Sequence, residues 1–372
     1  MTAYWCAALP VLVLCIGLFN LLTWPRPRFR PGQLHVPLDA SILIPARNEQ
    51  ANIEACVRAA LATGVREVVV CDDDSHDRTP EILERLRVQD PRLTVIQAGP
   101  LPPGWVGKPH ACHRLAKHAS GAWLLFVDAD VKLRPEAVLG LAELVHRFRS
   151  NVVTAFPEQV MVGWAERLVV PLLHLTYVSW LPLLLIPRLR TTRALAANGQ
   201  LLLVDRATYD ACDGFSAVRS AIVDDMAFCA RSKSLGHTVL FAEGSRLASC
   251  RMYRSAREVW EGFSKNLFLG LGGRIHNLLL VMILYVLAFL APLVLLILAP
   301  QSTAALTGCL AICALRIAIA ARFRHPIGTV FTHPLALIAF VAIGINSLRW
   351  GLGNRVSWRG RVYPGSAAEG RS

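Results

Sequence analysis

The sequence predicts a doubly wound, mainly parallel α/β domain set between an N-terminal transmembrane helix and further transmembrane helices near the C-terminus. Three observations carry this expectation. Of 372 residues, 54% are hydrophobic and only 17% are charged, whereas a soluble domain is usually about one quarter charged. Uncharged runs long enough to cross a hydrocarbon core of about 30 Å stand near both ends. Between them, short β-rich runs alternate with helical ones, the pattern of buried parallel strands joined by crossover helices.

Residues 3–24 are 22 positions without a formal charge, followed at once by Arg26, Arg28 and Arg30. A cleavable signal peptide carries its positive charge ahead of the apolar run and a small-residue site behind it. Residues 1–25 therefore read as an uncleaved anchor whose C-terminal end faces the cytoplasm, by the positive-inside rule. The α/β domain is expected over 26–276, with strands at 41–45, 67–71, 93–96 and 123–127 and helices at 48–61, 79–87, 108–118 and 224–235. Ligands of such sheets bind beyond the carboxyl ends of the strands. Acidic residues gather there: Asp72, Asp73 and Asp74 after the second strand, and Asp128-Ala-Asp130 after the fourth. For Asp74 and Asp77, just ahead of Thr79-Pro80, helix capping is the simpler role.

Residues 168–187 are 20 positions free of formal charge, bounded by Arg167 and Arg188 and containing Pro171, Pro182 and Pro187. A single span there would put the residues before and after it on opposite sides of a membrane. If both sets build one site, the segment lies in the bilayer surface; the alternative is a core helix of the domain. Over 277–348 the uncharged run at 278–299 is a span, the run at 304–321 is interrupted by Arg316, and 327–348 carries His333 and Pro334. The basic clusters Arg26/Arg28/Arg30, Arg322/Arg324 and Arg349/Arg355/Arg359/Arg361 all belong inside. Three full C-terminal spans do not satisfy them together, so the expected count is two to three, the last segment being interfacial or re-entrant and followed by a basic tail at 349–372. The expected location is the cell inner (plasma) membrane, multi-pass, with the α/β domain in the cytoplasm.

The 39 Lys and Arg outnumber the 26 Asp and Glu by 13. Positive-inside flanks account for much of this excess, and the basic residues are not interleaved with stacking aromatics, so no nucleic-acid partner is expected. Ten cysteines lack a Cys-x-x-Cys pair or a zinc-type Cys/His spacing and read as reduced packing residues. His110 and His113 share a helix with no third nitrogen or sulfur ligand, and no Ser-His-Asp or Cys-His nucleophile can be assembled.

Asp128 and Asp130 are read as cation ligands, with turn formation and capping as the structural alternative. Carboxylates placed side by side repel one another unless a cation or hydrogen-bond donors intervene. The small Ala129 between them lets both approach one hard cation, and oxygen ligands with open positions suit Mg²⁺ or Mn²⁺ bridging a diphosphate.

Taken in order, Ile44-Pro-Ala-Arg-Asn-Glu49, Asp72-Asp73 with Ser75 and Asp77, Gly107-Lys108, Asp128-Ala-Asp130 and Asp224-Asp225 resemble the family-2 nucleotide-sugar glycosyltransferases of GT-A type. Pro102-Pro-Gly-Trp-Val-Gly-Lys108, Asn198-Gly-Gln200 and Val259-Trp-Glu-Gly-Phe-Ser-Lys-Asn266 are similar to the membrane-bound, non-processive subgroup near the carotenoid and hopanoid glycosyltransferases. The resemblance covers about residues 40 to 270. It implies that Pro45, Ala46 and Glu49 line the nucleotide, that Asp72 or Asp73 accepts a hydrogen bond from the base, and that Lys108 helps to hold the donor. It implies Asp130 with Asp128 at the metal, Asn198, Gly199 and Gln200 among the substrate-binding residues, and Asp225 as the general base of an inverting displacement. Asp224 stands where the family more often has Glu.

The Gln-x-x-Arg-Trp motif of processive polysaccharide synthases is missing, which argues against polymerisation. Arg251, Arg254 and Lys265 close over the diphosphate or form a basic face against anionic lipid; Trp260 contacts the acceptor or anchors an interfacial helix. The expected activity is inverting, metal-dependent transfer of a single sugar from a nucleotide-diphosphate sugar, a UDP-hexose, to a membrane lipid such as a carotenoid, hopanoid or other isoprenoid. Two alternatives stand beside it: an inactive GT-A module that binds nucleotide sugar or lipid, and a transport component, which the few intramembrane charges support poorly.

Overall fold

A computed structural model describes residues 4–28, 38–192 and 194–353, together with the backbone of 356–358 and 361–363. Arg30, Arg355, Arg359 and most of the expected basic tail lie outside the described residues. The chain forms two compact units, one of residues 24–160 and 184–252, the other of residues up to 23, 161–183 and from 253 on.

The first unit holds the strands β1 (Ala40–Ala46), β2 (Glu67–Asp72), β3 (Leu93–Gln97), β4 (Trp123–Val127), β5 (Val131–Leu133), β6 (Val152–Phe156), β7 (Glu158–Gln159), β8 (Leu201–Asp205), β9 (Val239–Glu243) and β10 (Ala248–Cys250). Seven of them make one sheet in the order β3-β2-β1-β4-β8-β6-β9, and β5, β10 and β7 make a small second sheet. β1 pairs in parallel with β2 and β4, β2 with β3, and β6 with β9. Only β8 runs against its neighbours β4 and β6, so the sheet is mainly parallel, as the sequence predicts. Both faces are covered, which is why Val68, Val69, Val70 and Cys71 of β2 are all buried.

The helices present one apolar stripe each to this sheet. Ile53–Leu61 buries Ile53, Cys56, Val57 and Ala60, the spacing of one helical face. Thr79–Gln89 starts with Pro80 in its first turn and buries Ile82, Leu83 and Leu86. The helix expected from residue 48 begins only at Ile53. Asn48 has φ 53°, and the backbone N–H groups of Asn48, Glu49 and Gln50 donate to Ser75 Oγ at 2.9 Å, Thr79 Oγ1 at 2.8 Å and Asp77 Oδ2 at 3.0 Å. Side chains of the neighbouring loop thus claim the donors that would open the helix. Asp77 also accepts from Thr79 N at 2.9 Å and caps the next helix. Asp74, read as a cap from the sequence, instead adopts φ 57° and pairs with Arg47 at 3.6 Å.

The second unit contains four helices long and apolar enough to cross a membrane: Trp5–Thr23, Ile275–Leu298, Thr303–Phe323 and His333–Leu352. By length and composition all three C-terminal ones qualify. Trp5–Thr23 buries Cys6, Pro10, Val13, Gly17 and Asn20, alternating steps of four and three that form a packing seam. Gly308 sits where a Cβ would come within 2.1 Å of the Cys6 carbonyl oxygen, and a Cβ on Gly17 would meet Leu315 at 2.5 Å. Trp5–Thr23 and Thr303–Phe323 therefore run parallel at backbone contact, as small residues allow between apolar helices. A π-turn at Val286–Leu290 interrupts Ile275–Leu298 just before Pro292, whose ring excludes a regular turn.

His333–Leu352 runs antiparallel to Ile275–Leu298. Ser347 Oγ accepts from Phe268 N at 2.8 Å, Phe340 stacks on Tyr285 at 4.5 Å, and His333 meets Phe289 edge-on at 5.8 Å. It begins beside the middle of Ile275–Leu298. The apolar segment 168–187 is not one helix: Trp164–Val169 and Pro171–Trp180 are followed by turns, Pro182 and Pro187 interrupting it. Asn20 Nδ2 donates to Val178 O at 2.8 Å and Leu181 O at 2.7 Å, fixing the end of Pro171–Trp180 to the first apolar helix. Large apolar side chains including Leu22, Leu280, Ile297, Leu310, Phe331 and Leu335 remain exposed, an exterior suited to lipid rather than water.

The Gly308 contact gives a direct test. Gly308→Val forces the two parallel helices apart and costs about 1–3 kcal/mol, so the detergent-solubilised variant should melt several degrees lower in a thermal-shift assay; an unchanged melting temperature would contradict this packing.

Candidate active site

The chemistry-bearing residues of the α/β unit collect at the carboxyl ends of β1, β2 and β4. Pro45 and Ala46 end β1 beside Cys71 and Asp72 of β2, and Asp73 N donates back to Ala46 O at 2.8 Å. Arg47, absent from the sequence-based site, is buried and donates to Asp73 O and, at 3.0 Å, to Asp74 O. It pins the two strand ends together. Asp72 is buried and accepts from Ser75 N at 3.2 Å; Asp73 is buried beside it. Glu49 is buried and accepts from Asn52 Nδ2 at 2.9 Å.

Lys108, in the first turn of Gly107–His118, reaches Asp128 at 2.7 Å and lies 4.0 Å from Asp224. Burial pushes its ammonium down, but Asp128 and then Asp224 more than offset this, leaving it raised well above the usual lysine value and charged. Asp224 and Asp225 open Asp224–Ser234. Asp224 is buried, and the half-buried Asp225 accepts from Met226 N at 2.8 Å.

Gly199 closes this group. A Cβ there would lie 3.1 Å from Lys108 Nζ and 3.3 Å from Asp225 Cβ, so the Asn198-Gly199-Gln200 backbone runs closely between them. The flanking side chains are spent on the frame. Asn198 Oδ1 accepts from Gln200 N at 2.9 Å, and the Asn198 backbone exchanges hydrogen bonds with Thr154 Oγ1 at 2.8 and 2.9 Å. Gln200 is buried, donating to Cys250 Sγ at 3.0 Å and accepting from Gln159 Nε2 at 3.0 Å. The sequence groups these three with the substrate-binding residues; the structure brings them to the site as a wall held by Thr154, Gln159 and Cys250.

Asp130 is enclosed, and its Oδ1 has no hydrogen-bond partner among the described residues. Burial, followed by the negative charges of Asp128 and Glu49, pushes its carboxyl up to about 7. Cys56 and Cys250 stand close by, yet burial and the Asp130 charge raise both thiols well above their usual value. They are neutral neighbours rather than thiolate ligands. Among the described residues no group of three or more His, Cys, Asp or Glu side chains gathers as a metal cage. Two carboxylates, one with an orphaned buried oxygen, still fit a hard divalent cation whose remaining positions are left to phosphate oxygens and water. Arg251 follows β10 in the same unit, whereas Trp260 lies on Ala256–Gly270 in the unit of apolar helices, 39% exposed.

Fold and site together define a GT-A type α/β domain. Residues 41–201 match the model of glycosyl transferase family 2. The chain is 25% identical over 249 residues to a 4,4'-diaponeurosporenoate glycosyltransferase of Staphylococcus haemolyticus, covering 66% of this chain and 65% of that one. A protein of the same name from Staphylococcus aureus strain MRSA252 is 26% identical over 338 residues, 87% of this chain and 88% of the relative. The first of these matches thus spans just under two thirds of the relative's length. Among solved structures, the mannosyltransferase PcManGT from Pyrobaculum calidifontis, in complex with GDP-Man and Mn²⁺, superposes with a TM-score of 0.54 at 17% identity over 93% of this chain and 99% of that one.

The enclosed Asp130 gives the second test. A cation between Asp128 and Asp130 needs both carboxylates ionised, and the Asp130 value stands above the ordinary range, so protons compete for the site below about pH 7. Calorimetric Mn²⁺ affinity should rise about tenfold per pH unit up to about 7 and level off above it, and Asp130→Asn should remove both the affinity and its pH dependence.

Proposed function

We propose that this protein is an inverting, metal-dependent glycosyltransferase that moves one sugar from a nucleotide-diphosphate donor, a UDP-hexose, to a carotenoid-type membrane lipid. The observation that carries the reading is the gathering of Lys108, Asp128, Asp224 and Asp225 around Gly199. A relative named for a carotenoid carboxylate acceptor supports the choice of lipid, and a neighbour of the same fold bound to GDP-Man and Mn²⁺ supports the donor class and the cation.

In this mechanism Pro45, Ala46 and Glu49 line the nucleotide, and Asp72 or Asp73 accepts a hydrogen bond from its base. Asp128 and Asp130 hold Mg²⁺ or Mn²⁺, which when bound neutralises the diphosphate as it leaves. Lys108 adds a fixed positive charge beside Asp128 and keeps that carboxylate in place. Asp225, across Gly199 from Lys108, takes the proton from the acceptor hydroxyl or carboxyl as its oxygen bonds to the anomeric carbon and the bond to the diphosphate breaks. Attack from the face opposite the leaving group inverts the configuration. Arg251 approaches the diphosphate, and Trp260 is an acceptor contact in this reading.

The catalytic domain faces the cytoplasm in this reading. Trp5–Thr23 and Thr303–Phe323 are parallel, so the ends followed in sequence by Arg26 and Arg28 and by Arg324 share one side, as the positive-inside rule requires. His333–Leu352 starts beside the middle of Ile275–Leu298 and returns toward the level of Phe268. It forms the returning arm of a re-entrant hairpin, which puts Arg349 on that same side. Residues 168–187 lie along the bilayer surface, where an amphiphilic acceptor stays in lipid.

Asp225→Asn keeps the shape of the site and removes the base. Transfer should fall by about 10²–10⁴-fold while nucleotide binding, read by calorimetry with Mn²⁺ present, stays within about twofold. Full activity in this variant would overturn the assignment of Asp225, and loss of nucleotide binding would make it a donor-site residue instead.

A further inference from the structure

Different in character from the acidic site, the apolar-helix unit contains a buried cluster of one arginine and three histidines. Arg316, two turns before the end of Thr303–Phe323, is only 2% exposed. One guanidinium nitrogen, Nη2, donates to Thr329 O at 2.8 Å; Nε and Nη1 have no hydrogen-bond partner among the described residues. His325 and His333 are buried, and among the described residues neither their ring nitrogens nor the buried Thr329 hydroxyl has a hydrogen-bond partner. The His174 ring lies 3.9 Å from Phe323 and 4.7 Å from His325. The Arg316 charge acts on all three histidines.

Among the described residues no carboxylate pairs with Arg316. No Asp or Glu occurs between Glu261 and Glu369. A guanidinium kept from water without a counter-ion is among the costliest arrangements a protein can hold, and an intramembrane arginine ordinarily has a partner that explains it. What it lacks here is an anion with several acceptor oxygens. Guanidinium Nε and Nη1, imidazole N–H groups and a hydroxyl are supplied by three adjoining segments of chain, and the fork of an arginine matches the paired oxygens of a carboxylate or phosphate. The walls around them, Phe289 and Phe323, are apolar.

We propose that Arg316, His325, His333 and Thr329 form a binding site for the anionic head group, carboxylate or phosphate, of a membrane lipid whose hydrocarbon chain lies along the apolar helices. The site is separate from the donor site and shares none of its residues. It supplies the missing counter-charge, so an occupied site holds Thr303–Phe323, the Gly328–Phe331 turn and His333–Leu352 together, and lipid and protein stabilise one another.

The test uses the full chain purified in a neutral detergent, with thermal unfolding and native mass spectrometry read together. Dioleoyl phosphatidylglycerol and oleate should each raise the melting temperature and remain bound in the spectrometer, whereas dioleoyl phosphatidylcholine should do neither. Arg316→Gln should weaken binding of the anionic lipids at least about tenfold, the loss expected of charge-assisted hydrogen bonds. Should that variant fail to fold, His325→Gln, which keeps the guanidinium, should fold and weaken binding by a smaller factor. Inorganic phosphate that stabilises as well as phosphatidylglycerol would show a free-anion site and overturn the lipid assignment. Equal stabilisation by phosphatidylcholine, or anionic lipid bound equally well by the wild type and both variants, would overturn the site itself.

Discussion

Lys108 meets Asp128 at 2.7 Å and lies 4.0 Å from Asp224, and the ends of the central strands can be as acidic as they are because of it. Asp128, Asp130, Asp224 and Asp225 crowd a partly enclosed space, and like charges at such spacing raise one another's proton affinity. Asp130 shows the residual strain, pushed up to about 7 by burial and by its neighbours. The surrounding frame serves to hold this balance. Gly199 gives up its side chain so that backbone, lysine and Asp225 pack together, and Gln200, Gln159 and Cys250 fix that backbone from behind. Arg47 ties the ends of β1 and β2 in the same way. One buried carboxylate oxygen of Asp130 is left without a partner among the described residues, a group that a bound cation would satisfy.

Much of this was legible in the sequence because the informative residues sit next to strong local signals. The apolar runs of β2 and β4 are unmistakable, and the aspartates follow them directly, so strand ends and acidic cluster could be read in a single step. Asp224 and Asp225 were found by resemblance, since nothing local says that a helix start 94 residues after Asp130 returns to the same place. The framing residues were not legible. Gln159, Gln200 and Cys250 come together only after β8 has joined the large sheet and β10 has paired with β7, and no periodicity announces a hydrogen bond between residues 50 apart in sequence. The late start of Ile53–Leu61 was hidden for a similar reason. The competing acceptors are side chains of another loop, and helical propensity carries no information about them.

The apolar unit shows the opposite balance. Composition identified its helices at once but could not decide how they pack, because lipid and protein interior are both apolar. The decisive residues are the small and polar exceptions: Gly17 and Gly308 set the parallel contact, Asn20 ties the short helix Pro171–Trp180 to the first one, and Ser347 fixes the level at which His333–Leu352 ends. Charge counting set three basic clusters against three C-terminal helices, and all three helices are long and apolar enough to cross a membrane.

The most direct measurement follows the sugar itself. Purified full-length protein in detergent is given radiolabelled UDP-hexoses with Mn²⁺ and extracted membrane lipid, and the label is counted in the organic phase after partition. Label should move into lipid only when metal and lipid are both present, and the product should carry the inverted anomeric configuration. Label released as free sugar, or retained configuration in a lipid product, would contradict the account of Lys108, the paired carboxylates and Asp225 as the site of an inverting transfer to lipid.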